Sequence, residues 1–91
     1  MKEQFKTIHG NEFQTPQWLF DSLNKEFDFQ VDLACSKDNK KCAKGLTDSL
    51  NEDWHKLTDG WMWLNPPYSP LKVWIQKAQH ESLKGAKIVV L

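Results

Sequence analysis

The chain has no arginine: all twelve of its basic residues are lysine, and twelve acidic residues cancel them to a formal net charge of +0 at pH 7. Stand-alone DNA binders carry a basic excess, and residues that read base edges favour the planar guanidinium fork. The composition therefore argues against sequence-specific DNA readout by these residues alone. Long hydrophobic runs are missing too. No stretch approaches the roughly 20 apolar residues of a membrane span, and the opening MKEQFKTIHG has no apolar core for a secretory leader. Cysteine is scarce: Cys35 and Cys42 are too few for the disulfide framework of a small secreted fold. With His9, His55 and His80 far off in sequence, they form no recognised zinc pattern either. The expectation is a cytoplasmic protein with two reduced structural thiols and no metal. No glycine-rich phosphate loop is present, which argues against NAD or ATP binding by the usual glycine motifs.

What is present suits one small globular domain: 91 residues, 40% hydrophobic and 26% charged. Five tryptophans promise an aromatic core or a surface for stacking on planar ligands. Residues 1–14 are polar and aperiodic and read as an N-terminal arm. Thr15-Pro16 reads as a helix start, with Thr15 as N-cap and Pro16 in the first turn. Trp18, Leu19 and Leu23 then share one face of an amphipathic helix over about 16–26, with Phe20 and Phe27 beside that stripe. Phe29 to Ala34 fits a buried strand, Leu46-Thr47 a second brief one, and Trp61 to Leu64 a third after the Asp59-Gly60 turn. Leu71, Trp74, Ile75 and Ala78 mark a helix from 71 to 83 that Gly85 closes, and Lys87 to Leu91 is a further buried strand. Strands alternating with helices predict an α/β layer with a mainly parallel sheet. The strand from Ile88 to Leu91 has no helix after it, which predicts an uncovered sheet face open to self-association or to a partner.

The sharpest chemical signal is Asn65-Pro66-Pro67-Tyr68, placed between the aromatic strand and the following helix. Two prolines cannot feed a ladder, so the strand must stop there. An exocyclic amine such as adenine N6 is a poor nucleophile because its lone pair is delocalised into the ring. Acceptors on both N–H groups favour a more tetrahedral nitrogen. Asn65 offers its side-chain oxygen and Pro66 a backbone carbonyl of restricted direction. Tyr68 offers a flat face for a base drawn out of a duplex, and Pro67 stiffens the loop, so little reorganisation accompanies reaction. The same tetrapeptide also reads as a plain turn, or as an Asn-Pro-x-Tyr docking signal, although such signals lie in exposed tails. After the first predicted strand, Asp32-Leu33-Ala34-Cys35-Ser36 stands where ligands meet the carboxyl edge of a parallel sheet. There an aspartate can accept from a ligand ammonium, or simply end a strand.

Thr15-Pro16-Gln-Trp-Leu-Phe-Asp21, Val31-Asp-Leu-Ala-Cys-Ser36 and Trp63-Leu-Asn-Pro-Pro-Tyr-Ser69 together resemble the phage-type DNA N6-adenine methyltransferases, the phage Dam-like family. The resemblance runs from about Asn11 to the last residue and is weakest over Ser36 to Asp59. It implies a Rossmann-like fold, S-adenosyl-L-methionine (AdoMet) as methyl donor, adenine in double-stranded DNA as acceptor, and a phage- or prophage-encoded enzyme at work in a bacterial cytoplasm. By the resemblance, Thr15, Pro16, Asp32, Ala34 and Ser36 contact the cofactor, and Asp48 stands at the acidic position that meets its adenine. Asn65, Pro66, Pro67 and Tyr68 form the catalytic motif. Family members continue past the strand at Lys87, so residues 15–91 are expected to form the front portion of the methyltransferase domain. Two alternatives stay open: a truncated, non-catalytic interaction module, and a related methyltransferase acting on RNA or protein nitrogen.

Overall fold

Trp61-Met-Trp-Leu64 and Lys87-Ile-Val-Val90 alternate faces with the period of two that a strand imposes, and both faces are apolar. A pair of such segments is stable only inside a sheet covered on both sides. The computed structural model, which describes residues 16–35, 40–42, 44–67 and 71–91 and the backbone of 5–7, has that arrangement. Its strands are β1 (Phe5–Thr7), β2 (Val31–Asp32), β3 (Lys44–Gly45), β4 (Trp61–Leu64) and β5 (Lys87–Val90), and its helices are α1 (Gln17–Phe27) and α2 (Leu71–Leu83). One turn of 3-10 helix covers Trp54–Lys56. The five strands run in the order β1-β5-β4-β2-β3, and every pairing is parallel.

Each face of the sheet has its own core. On one side Val31, Leu33, Met62, Leu64, Ile88 and Val90 pack with Trp54, Trp74, Ala78 and Ala86, so α2 and the 3-10 turn cover this face. On the other, Phe29, Trp63 and Val89 pack with Phe20 and Cys42, flanked by Leu23, Phe27, Trp61 and Leu91. This second core is aromatic. The Trp63 ring meets Phe20 edge-on at 5.1 Å and Phe29 at 5.3 Å, and Phe27 lies 4.9 Å from Trp61. The connection from β4 through α2 to β5 moves one way along the sheet. That from β1 through α1 to β2 moves the other way on the opposite face. Direction and face reverse together, so both crossovers share one hand, as the strong chirality of such units requires.

Local chemistry sets the helix ends. Gly85, at φ +106°, follows α2, and its N–H donates to Ser82 O (3.1 Å) while Ala86 N–H donates to Glu81 O (3.0 Å). These two bonds form a Schellman motif, which glycine enters without strain. At the end of α1, Asp28 takes the left-handed conformation and Asn24 Oδ1 accepts from Phe29 N–H (2.7 Å). The start of α1 differs from expectation: Pro16 occupies the N-cap with an extended ψ of 137° and no side-chain cap. Thr15, expected in that role, lies outside the described residues, as do Ser36 and Tyr68.

Two further expectations are corrected. The arm at 1–14 contains a strand: β1 pairs with β5, Phe5 opposite Ile88 and Thr7 opposite Val90. Three residues are too few to show periodicity, and the free edge of β5 supplies the ladder. The uncovered sheet face is also absent among the described residues, because Val89 is fully buried under α1 side chains and β5 lies between two strands. The expected self-association loses its structural basis with it. Among the described residues no helix is long and apolar enough to cross a membrane.

Below the sheet, on the α2 face, a buried carboxylate fastens the 3-10 turn to α2. Glu81 is 1% exposed. Its Oε1 accepts from His55 N–H (3.0 Å) and pairs with His55 Nδ1 (2.7 Å), and its Oε2 accepts from Lys77 Nζ (3.1 Å). Burial alone would raise this carboxyl, but the His55 side-chain and backbone bonds and the Lys77 ammonium overcome it and hold Glu81 at about 2. Asp53, His55 and Glu81 bring potential metal-ligating atoms within 4.8 Å of one another. Lys77 already compensates the buried charge and His55 hydrogen-bonds to it, so the Glu81 carboxylate is held by an internal network. A folded-state pKa below the ordinary 4.5 adds stability above that value, lost as pH falls through about 2. The melting temperature of the protein should therefore drop over this acid window more steeply than that of Glu81→Gln, which starts lower at neutral pH. Parallel curves would show that Glu81 is not the titrating support.

Candidate functional site at the carboxyl edge of the sheet

From β2 the chain proceeds to β3 on one side, while β4 lies on the other, so the strand order reverses at β2. Connections leaving the carboxyl ends of β2 and β4 diverge, and in open parallel sheets ligands occupy the crevice that opens there. The loop after β2 and the loop after β4 both begin at this edge. Leu33 N–H donates to Trp63 O (2.9 Å) and Leu91 N–H to Leu64 O (2.9 Å), so the ladder is intact up to the residue before Asn65. The two prolines then release the chain. Asn65 is half-buried, Pro66 buried and Pro67 exposed. One proline ring thus anchors the loop in the protein while the next faces solvent.

The loop after β2 is organised by Asp32, which is 2% exposed. Its Oδ1 accepts from Ala34 N–H (3.2 Å) and its Oδ2 from Lys41 N–H (2.9 Å), which ties both residues to the end of β2. Burial raises the Asp32 carboxyl above its usual range, against the opposing pull of the Lys41 and Ala34 amides and the Lys41 charge. Each oxygen keeps a further acceptor position. Lys41 also reaches the start of α1, where its Nζ donates to Gln17 Oε1 (2.9 Å). The first turn of α1 is thereby tied to the same loop as Asp32.

β3 ends at Gly45, opposite Asp32, and Leu46 extends the ladder, donating to Asp32 O (2.9 Å) and accepting from Cys35 N–H (3.1 Å). A β-carbon on Gly45 would stand 2.6 Å from Lys40 Cγ and 2.7 Å from Cys35 Sγ, so these two side chains take their places over this strand because Gly45 lacks one. Asp48 follows in an exposed turn at the same carboxyl edge. Of the expected site residues within the described segments, the structure thus gathers Pro16, Asp32, Ala34, Asp48, Asn65, Pro66 and Pro67 along one edge. Trp18 departs from expectation. It was placed on the apolar stripe of its helix, yet it is 69% exposed in the first turn of α1.

Burial raises Cys35, and burial together with the Asp32 and Cys35 charges pushes Cys42 up to about 12, so both stay protonated at neutral pH. Sequence reasoning missed Ser49, Lys41 and Trp54, which hold the edge together from behind. They lie in polar segments with no periodicity, and only the tertiary contacts reveal them.

The DNA N-6-adenine-methyltransferase (Dam) family model matches residues 2–91. No curated protein and no solved structure matches the chain.

Proposed function

Since the chain belongs to the DNA N-6-adenine-methyltransferase (Dam) family, we propose that it carries out site-specific methylation of adenine N6 in double-stranded DNA with AdoMet as donor. The observation that carries this reading is the switch point, where the Asn65-Pro66 loop leaves β4 directly beside the Asp32 loop of β2. A parallel sheet covered on both faces, with crossovers of one hand, supports a Rossmann-like core. Family membership favours DNA adenine over RNA or protein nitrogen, and methyl transfer over a non-catalytic module.

The residues fit the cofactor's chemistry. Asp32 retains acceptor positions suited to an ammonium, Ala34 is small enough for close backbone approach, and Asp48 presents an exposed carboxylate beyond the neighbouring strand. Thr15, Pro16 and Ser36 complete the proposed cofactor set. AdoMet, when bound, supplies an electrophilic methyl group on its sulfonium. Asn65 accepts from one N–H of the target amine through its side-chain oxygen, and Pro66 from the other through its backbone carbonyl. Both acceptors localise the nitrogen lone pair for attack. Pro67 limits the loop's freedom, and Tyr68 stacks on the base drawn from the duplex.

Calorimetric titration of the chain with AdoMet, followed by transfer of labelled methyl to adenine-containing duplex DNA, tests the proposal. Saturable binding and label on adenine N6 are expected. A folded chain that binds AdoMet but labels no adenine would overturn the catalytic assignment, and one that does not bind AdoMet would overturn the cofactor site.

A further inference from the structure

Between β3 and the 3-10 turn the chain is polar, and Asp48, Asn51, Glu52 and Asp53 are all exposed. Ser49 alone in this stretch is fully buried. A buried hydroxyl is costly unless bonded, and Ser49 Oγ donates to Leu33 O at 2.6 Å. Its own carbonyl accepts from the Trp54 indole N–H (2.8 Å) and from Glu52 N–H (2.9 Å). Trp54 is itself fully buried, with its ring 6.2 Å from Trp74 and the Lys77 ammonium 5.6 Å from its centroid. A line of bonds therefore runs from Trp54 through Ser49 to Leu33, and from Leu33 N–H to Trp63 O on β4. It passes through Leu33, between Asp32 and Ala34, and it fixes the residue next to Asp48.

We infer that Ser49 is a positioning residue for the cofactor site, pinning the Asp48 turn to the Leu33-Ala34 loop so that the Asp48 carboxylate is held toward the adenosine end of AdoMet. The inference rests on the proposed function and adds to it a residue that touches no ligand. A hydroxyl bonded to the carbonyl beside Ala34 sets the spacing of the two loops, and the Trp54 anchor keeps the peg from rotating. Asp48, exposed on one side and joined to this peg on the other, takes its direction from Ser49.

AdoMet titrations of the protein and of Ser49→Ala, Asp48→Ala and the double variant test this, with melting curves alongside. Ser49→Ala should weaken AdoMet about tenfold, the equivalent of one lost hydrogen bond, without changing affinity for duplex DNA. In the double variant the loss should equal that of Asp48→Ala alone, because Ser49 acts through Asp48. A merely structural serine would give additive losses. Additive losses, or unchanged AdoMet affinity in Ser49→Ala, would overturn the inference while leaving the function intact. Failure of the parent protein to bind AdoMet would overturn the function itself. If Ser49→Ala does not fold, Trp54→Phe keeps an aromatic ring of smaller size, removes the N–H that holds Ser49 O, and should reproduce the weakening. Full AdoMet affinity in folded Trp54→Phe would then count as refutation.

Discussion

Asn65→Ala is expected to cut methyl transfer by roughly 10²–10³-fold, the range seen when one preorganised hydrogen-bonding group is removed from a reacting centre, while AdoMet binding stays intact. The separation follows from the fold. Asn65 lies just beyond Leu64, whose carbonyl is already held by Leu91 N–H, and just before the buried Pro66. Truncating its side chain therefore leaves the ladder and the loop anchor in place. The cofactor residues proposed at the ends of β2 and β3 are held by Asp32, Lys41 and Leu46. The truncation removes an acceptor for the amine, which matters most as the nitrogen turns tetrahedral and much less in ground-state binding. Asn65→Asp keeps an oxygen in place and should retain more activity than Asn65→Ala. Single-turnover transfer from labelled AdoMet checks both. Parental turnover in Asn65→Ala would remove Asn65 from the chemistry.

The elements around this residue were legible because their signals are local. The period-two run at Trp61 to Leu64, the two prolines that stop it, the helical spacing of Leu71, Trp74, Ile75 and Ala78, and the closing Gly85 all appear where the sequence implies them. Parallel pairing followed from the alternation of strands and helices. Strand order did not, because it depends on which edge each two-to-four-residue strand finds, and β1 carries no pattern of its own. The bare face expected beyond Ile88 illustrates the same limit. Its cover comes from Phe20, Leu23 and Phe27, more than sixty residues earlier in the chain.

Site residues divide along the same line. Asn65 and Asp32 stand at strand ends that the pattern marks, so their place on the carboxyl edge was readable. The duties of Asp32 were not. The sequence suggested a carboxylate facing a ligand, whereas the side chain is buried and first of all shapes its own loop through Ala34 and Lys41. Ser49 and Trp54 had no signal whatever. A serine in a polar stretch looks solvated until a carbonyl sixteen residues away is found on its hydroxyl. Residues that present chemistry can be read from motifs, while those that hold them in place are defined by contacts distant in sequence.

The five tryptophans supply the sharpest contrast between a pattern and its outcome, and the largest stability effect expected. Trp63 and Trp18 both looked like core residues, one in a strand and one on a helical stripe. Trp63 is 1% exposed and packs against Phe20 and Phe29, whereas Trp18 is 69% exposed at the start of α1. Helix geometry explains the difference. With 3.6 residues per turn, Trp18 lies on the side of α1 roughly opposite Phe20, Leu23 and Phe27, so its ring faces away from the sheet. Trp63→Ala removes the centre of the α1-side core and should cost about 3–5 kcal/mol. Domains of this kind are stable by only about 5–15 kcal/mol, so that loss brings the variant to the verge of unfolding. Trp18→Ala removes no buried contact and should fall within about 0.5 kcal/mol of the parent. Urea unfolding followed by far-ultraviolet circular dichroism separates the two. Equal midpoints would mean that α1 does not cover this face in solution. A large loss in Trp18→Ala would instead mean that the first turn of α1 packs against the protein, and that its exposed ring is not a free surface.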